Sequence, residues 1–182
     1  METWPQLGKA VGTCAVKQSF NINLEVKKII IETCLKDDCN NKVKIEAIWF
    51  RSDTKFLPTK ISSVFPNLIL FNAETINLQV IAGKNFENMK SLEVLNLSNN
   101  KISSISADTF NDLENLKILN LAKNSISKID ENTFNGLKQL ELLDLVENEM
   151  ENTSPDIFDG STFSISMKYG GFKSIFNEKL KI

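Results

Sequence analysis

A step of 24 residues runs through the middle of this chain and leaves few folds open to it. Leu92-x-x-Leu95-x-Leu97-x-x-Asn100-x-Ile102-x-x-Ile105 is followed by Phe110-x-x-Leu113. The same positions return as Leu116, Leu119, Leu121, Asn124, Ile126, Ile129, Phe134 and Leu137, and again as Leu140, Leu143, Leu145, Asn148, Met150 and Phe158. A fixed period of this length marks a stacked solenoid, in which one repeat cannot bury its apolar face alone. Leu95 and Leu97 are two apart, so they face one side of an extended segment while Val94, Asn96 and Ser98 face the other. A helical bundle would need apolar residues at a period of about 3.6, which the Leu-x-Leu pairs contradict.

Asn100, Asn124 and Asn148 fall where each strand must turn. An amide there satisfies backbone groups of its own turn and the neighbouring one, which an apolar side chain cannot do. Weaker copies extend the array backward. Leu68-x-x-Phe71-x-Ala73 leads to Leu78, Ile81, Phe86 and Met89, with Ile76 in the asparagine place, so a break in the amide ladder is expected there. Ile45-x-x-Ile48-x-Phe50 precedes it, with Asp53 in that place and Leu57-Pro58 beyond. Five repeats over 45–160 result, with strands expected near 46–50, 70–74, 94–98, 118–122 and 142–146. Leu119 is expected in the core, and Lys117 outside it and tolerant of a charge change.

This consensus resembles the leucine-rich repeat, and its 24-residue length with Phe in the back half is similar to the subfamily typical of animal extracellular proteins. Toll-type receptors and secreted insect leucine-rich proteins are the relatives it most suggests. The resemblance implies an α/β fold: a curved solenoid with a parallel concave β-sheet and an N-terminal β cap. It also implies an extracellular recognition module, with an immune or adhesion role.

A solenoid has two raw apolar ends, and each needs a cap. Residues 1–44 are assigned to an N-terminal cap, in which Phe20-x-Ile22-x-Leu24-x-Val26 alternates as a half-buried strand and Ile29-Ile30-Ile31 and Val43-x-Ile45 supply others. All three cysteines, Cys14, Cys34 and Cys39, lie in it. They permit one bridge among three pairings, a structural cap resembling that of extracellular relatives; free thiols and half of a metal site are the other readings. Residues 161–182 form either an improvised C-terminal cap or the start of a further repeat, with Phe163-x-Ile165-x-Met167-x-Tyr169 alternating as a strand.

The chain has no histidine, which removes Ser-His-Asp and Cys-His machinery and histidine-bearing zinc sites. No phosphate-cradling glycine loop occurs, and carboxylates fall on polar repeat positions, so neither catalysis, a cofactor nor a metal is expected. A net charge of −2 gives no basic stripe, and nucleic acid is not an expected partner. No apolar run of about 18 residues is present, so no transmembrane segment is expected. The start, Met1-Glu2-Thr3-Trp4-Pro5, lacks the pattern of a secretory signal.

Equivalent strand positions of a stacked sheet line up in columns about 4.8 Å apart. One column reads Ala47, Leu70, Val94, Ile118 and Leu142, and the next Trp49, Asn72, Asn96, Asn120 and Asp144. Outside them run Arg51, Glu74, Ser98, Ala122 and Val146, then Ser52, Thr75, Asn99, Lys123 and Glu147. An aliphatic ribbon rimmed by polar groups is a candidate contact for a protein ligand or a second copy of the chain. The competing reading is that these residues only favour strand formation. Asn96-Leu-Ser98 and Asn152-Thr-Ser154 match the glycosylation acceptor pattern, which an asparagine-rich chain also produces by chance. Two function classes stay open: an extracellular recognition module, or an intracellular scaffold or adaptor of the same fold.

Overall fold

Each repeat makes one turn of a coil, and a computed structural model of the chain describes residues 15–18, 31–36, 44–50, 53–150 and 164–166. The strands of the main sheet are β1 (Ala15–Gln18), β2 (Ile31–Lys36), β3 (Lys44–Phe50), β4 (Leu70–Asn72), β5 (Val94–Asn96), β7 (Ile118–Asn120), β9 (Leu142–Asp144) and β10 (Ser164–Ser166). The opposite side of the coil carries β6 (Ser104–Ile105) and β8 (Lys128–Ile129), with two single-turn helices, α1 (Ile61–Val64) and α2 (Gly83–Phe86). The main sheet runs β1-β2-β3-β4-β5-β7-β9-β10. Its first three strands are antiparallel and every later pairing is parallel. This is the expected leucine-rich repeat solenoid. The expected strand over Phe20–Val26 lies outside the described residues.

Leu95, Leu97, Leu119, Leu121 and Leu143 are fully buried, as the period-2 reading requires. Behind them an aromatic spine crosses the repeats. Phe50 meets Phe71 edge-on at 6.4 Å, Phe86 and Phe110 lie 5.8 Å apart, and Phe110 stacks on Phe134 at 6.4 Å. These three pairs each join neighbouring coils, so removing a ring from one of them loosens two repeats at once.

The asparagine ladder ties adjacent coils. Oδ1 of Asn124 accepts from the Ile102 amide at 3.0 Å, while its Nδ2 donates to Leu121 O at 2.9 Å and Leu97 O at 3.1 Å. Asn100 repeats this with the Ile76 and Leu78 amides and with Ala73 and Leu97 carbonyls. Asn148 does so with Ile126, Leu121 and Leu145. Ile76 breaks the series, and backbone takes over: Thr54 N donates to Ile76 O at 2.9 Å. On the back of the coil the buried Asn85 adds a tie, donating to Leu57 O at 2.9 Å and accepting from Ala82 N at 2.8 Å.

The residues before ladder positions 76, 100, 124 and 148 are left-handed: Thr75 at φ 59°, Asn99 at 60°, Lys123 at 55° and Glu147 at 59°. The amides of Thr75, Asn99 and Lys123 reach carbonyls of the following repeat at 2.8–3.2 Å, which fixes the turn. Asn adopts this conformation at a lower cost than Lys, because its short side chain can bond locally. Lys123→Asn is therefore expected to raise stability by about 0.5–1 kcal/mol, read as a higher urea midpoint at unchanged slope. An unchanged or lower midpoint would mean that the turn carries no strain.

Lys117 corrects one expectation. It precedes β7 on the rim, where Nζ bonds the Glu93 carboxylate of the previous repeat at 2.9 Å. That hydrogen bond, with the charge of Glu93 and then Glu141, holds the Lys117 ammonium above its ordinary pKa. A charge reversal there would set a carboxylate beside two others, so Lys117→Asp is not a silent change.

Candidate functional site

The inner sheet places the sequence columns in register. Ala47 pairs with Leu70, Leu70 with Val94, Val94 with Ile118, and Ile118 with Leu142. The second column pairs Trp49, Asn72, Asn96, Asn120 and Asp144 in the same order. Beyond Leu142 and Asp144 the partners are Ser164 and Ser166 of β10.

The five aliphatic residues are half-buried, because each covers its neighbour in the column. Trp49, Asn72, Asn96 and Asp144 are also half-buried, whereas Asn120 is only 4% exposed. The polar column has a local task. Asn72, Asn96, Asn120 and Asp144 each accept, through Oδ1, the amide two residues on, at 2.9–3.1 Å. These Asx turns divert the chain from extended geometry. They explain why the strands stop at 72, 96, 120 and 144 rather than at the expected 74, 98, 122 and 146. Inter-repeat pairing continues past them, with Ala73, Leu97 and Leu121 amides bonding Asn96, Asn120 and Asp144 carbonyls at 2.8 Å.

Outside the Asx column, Ser98 and Ala122 are buried and Val146 is half-buried, leaving Glu74 as the exposed member. Thr75, Asn99, Lys123 and Glu147 form an exposed rim. Arg51 and Ser52 lie outside the described residues. Asn96 and Ser98 of the first acceptor triplet sit within this sheet, Ser98 at 6% exposure. Asn152 lies outside the described residues, as do Cys14 and Cys39; Cys34 stands in β2, opposite Ala47 of β3.

Among the described residues, two hollows flank the strands. One, of about 500 Å³, lies at the C-terminal ends of β3 and β4 and is lined by Trp49, Asp53, Asn72, Glu74 and Ile76 among others. The second, of about 370 Å³, lies at the opposite ends of the strands, along Asn67, Ser91, Asn115 and Gln139, beside the Glu93–Lys117 pair. Sequence reasoning missed Phe56 and Val80, exposed by 59% and 50% and joined by a parallel bridge. Their later equivalents at the 24-residue step are Ser104 and Lys128, and that contrast was readable. Among the described residues no group of three or more acidic or cysteine side chains is placed to hold a metal ion, and no helix is long and apolar enough to cross a membrane.

A family model described as leucine rich repeat matches residues 75–126 and 114–162. No curated protein matches the chain. Among solved structures, a chain of the Toll–Spatzle complex, described as a molecular hub in Drosophila development and innate immunity, is 26% identical with a TM-score of 0.53. A chain of the TLR13–ssRNA13 complex is 30% identical with a TM-score of 0.52. Each likeness covers 57% of this chain and 14% of the other, so the solenoid corresponds to a small part of those larger proteins.

Proposed function

Because the chain is a leucine-rich repeat protein resembling Toll-type receptors, we propose that it takes a protein ligand on its concave face, and that it works outside the cell. The observation that carries this is the unbroken aliphatic column from Ala47 to Leu142, half-buried and in register across five strands, with Trp49 beside it. Apolar strips and rigid aromatics concentrate binding energy, while surrounding polar groups set complementarity. The back of the coil leaves Phe56 and Val80 exposed in the first repeats and offers polar groups such as Ser104 and Lys128 in the later ones, so its exposed apolar surface does not continue across the array.

The two solved relatives are named with different ligands, a protein and a single-stranded RNA. The protein reading suits this chain better. Its exposed concave rim sets Glu74 and Glu147 against Lys123, and phosphate recognition needs a cationic stripe. Likeness to Toll-type receptors supports the extracellular reading and, with it, a cap in which one disulfide joins two of Cys14, Cys34 and Cys39. Peptide mapping of secreted protein under non-reducing conditions checks this, and three free thiols would reject it. An immune or adhesion role is part of the same proposal and rests on that likeness.

Against a partner recovered from the native source, Ile118→Glu and Trp49→Ala are each expected to weaken binding by about 1–3 kcal/mol. Circular dichroism of both variants should match the parent. Asn111→Ala, an exposed change on the back, should leave affinity unchanged. Full binding by both concave variants would refute the concave face as the ligand surface.

A further inference from the structure

We propose that Asn135 and Gly136, on the back of the coil, form a self-modifying site that deamidates to isoaspartate and thereby loosens the contact with the preceding coil. The inference is independent of the concave-face reading.

Asn135-Gly136 is the one Asn-Gly pair in the sequence, and Asn135 is exposed in the turn that follows β8. Glycine has no Cβ to crowd the approach of its nitrogen to the preceding side chain. Among the described residues the Gly136 amide donates to no acceptor, so attack by that nitrogen sacrifices no hydrogen bond. The side chain of Asn135 is tied through Nδ2, which donates to Oδ1 of the exposed Asn132 at 2.8 Å. Water can replace that bond.

Stacking fixes the glycine in place. A Cβ at 136 would come within 2.6 Å of Asn111 Cα and 2.9 Å of Asn111 O, both backbone of the preceding coil. Close approach of the two coils demands glycine, and the reactive pair comes with it. One repeat earlier the same place holds Asn111-Asp112, with Asn111 equally exposed. There Asp112 has a Cβ, and its Oδ2 accepts the Asn88 amide at 2.8 Å. The chain thus carries its own control, the same turn without the glycine.

The reaction consumes only water. The Gly136 nitrogen gives up its proton to base and attacks Cγ of Asn135. A bond forms between that nitrogen and Cγ, and the bond from Cγ to Nδ2 breaks, releasing ammonia. Water then opens the cyclic imide. Opening at Cγ gives aspartate, whereas opening at the main-chain carbonyl routes the chain through Cγ as isoaspartate. Both products carry a new carboxylate, but only isoaspartate lengthens the backbone by a methylene. That shifts Gly136 against Asn111, and a solenoid coil draws its stability from its neighbours.

The test incubates the folded full-length chain in mildly alkaline buffer and follows tryptic peptides 129–138 and 102–117 by mass spectrometry. Amide-to-acid conversion is expected at Asn135, as separate aspartate and isoaspartate forms, while Asn111 stays intact. Asn135→Gln should leave peptide 129–138 unconverted, because the larger ring closes more slowly. The isoaspartate fraction is expected to unfold at a lower urea midpoint than Asn135→Asp, which has the charge without the longer backbone. Conversion no faster at Asn135 than at Asn111, or conversion only after urea has unfolded the chain, overturns the proposed site. A midpoint equal to that of Asn135→Asp overturns the loosening.

Discussion

Leu119→Asp is expected to unfold the repeat array. Leu119 is fully buried in β7, between β5 and β9, so a carboxylate there has neither water nor a cation to meet. Loss of a buried leucine alone removes about 2–5 kcal/mol, and an unpaired charge adds to it. Against a total stability of about 5–15 kcal/mol, the sum leaves little native protein. Circular dichroism should show loss of strand signal and of any cooperative transition. Lys117→Gln, on the rim two residues earlier, should leave the urea midpoint nearly unchanged, since its pair with Glu93 is exposed to solvent. Comparable losses from the two substitutions would contradict the inward register of β7.

Asn124→Ala is expected to cost about 2–4 kcal/mol, because the buried Ile102 amide loses its partner and three ties to buried carbonyls go with it. The Ile102 amide has Asn124 Oδ1 as its partner at 3.0 Å, while the Leu97 and Leu121 carbonyls accept from Asn124 at 3.1 and 2.9 Å and are shared with Asn100 and Asn148. None can turn to water without opening the coil. Asn96→Ala removes only the Asx bond to Ser98 and a 3.5 Å contact to Glu74, and should cost about 1 kcal/mol. A urea titration of the two variants reads the difference. Equal costs would mean that the ladder contributes nothing beyond an ordinary turn bond.

These two asparagines mark how far the sequence could be read. The 24-residue step placed Asn124 at a turn, and the burial of Leu119 and Leu121 followed from their spacing of two. The interruption at Ile76 was equally visible, because a side chain without an amide cannot carry a rung. The same parity put Asn96 on the inner face and could go no further. Whether its amide faces a ligand or its own backbone depends on the torsions of the next two residues, which periodicity does not encode. Lys117 was misread for a related reason: it precedes the strand, so its partner is set by the stacking of Glu93 one repeat earlier. Asn85 was overlooked because its bonds to Leu57 and Ala82 exist only once two coils have met. Of the candidate site, the register of Trp49, Leu70, Val94, Ile118 and Leu142 was legible. The hollow at Asp53 and Glu74 was not, because it depends on how coils of unequal length stack.

The most direct measurement of the concave-face claim is hydrogen–deuterium exchange of the protein alone and in complex with the partner recovered from the native source. Backbone amides at 47–49, 70–75, 94–99 and 118–123 are expected to gain protection, with those at 80–82, 104–106 and 128–130 unchanged. Protection confined to the second set, on the back of the coil around Val80, Ser104 and Lys128, would contradict the account.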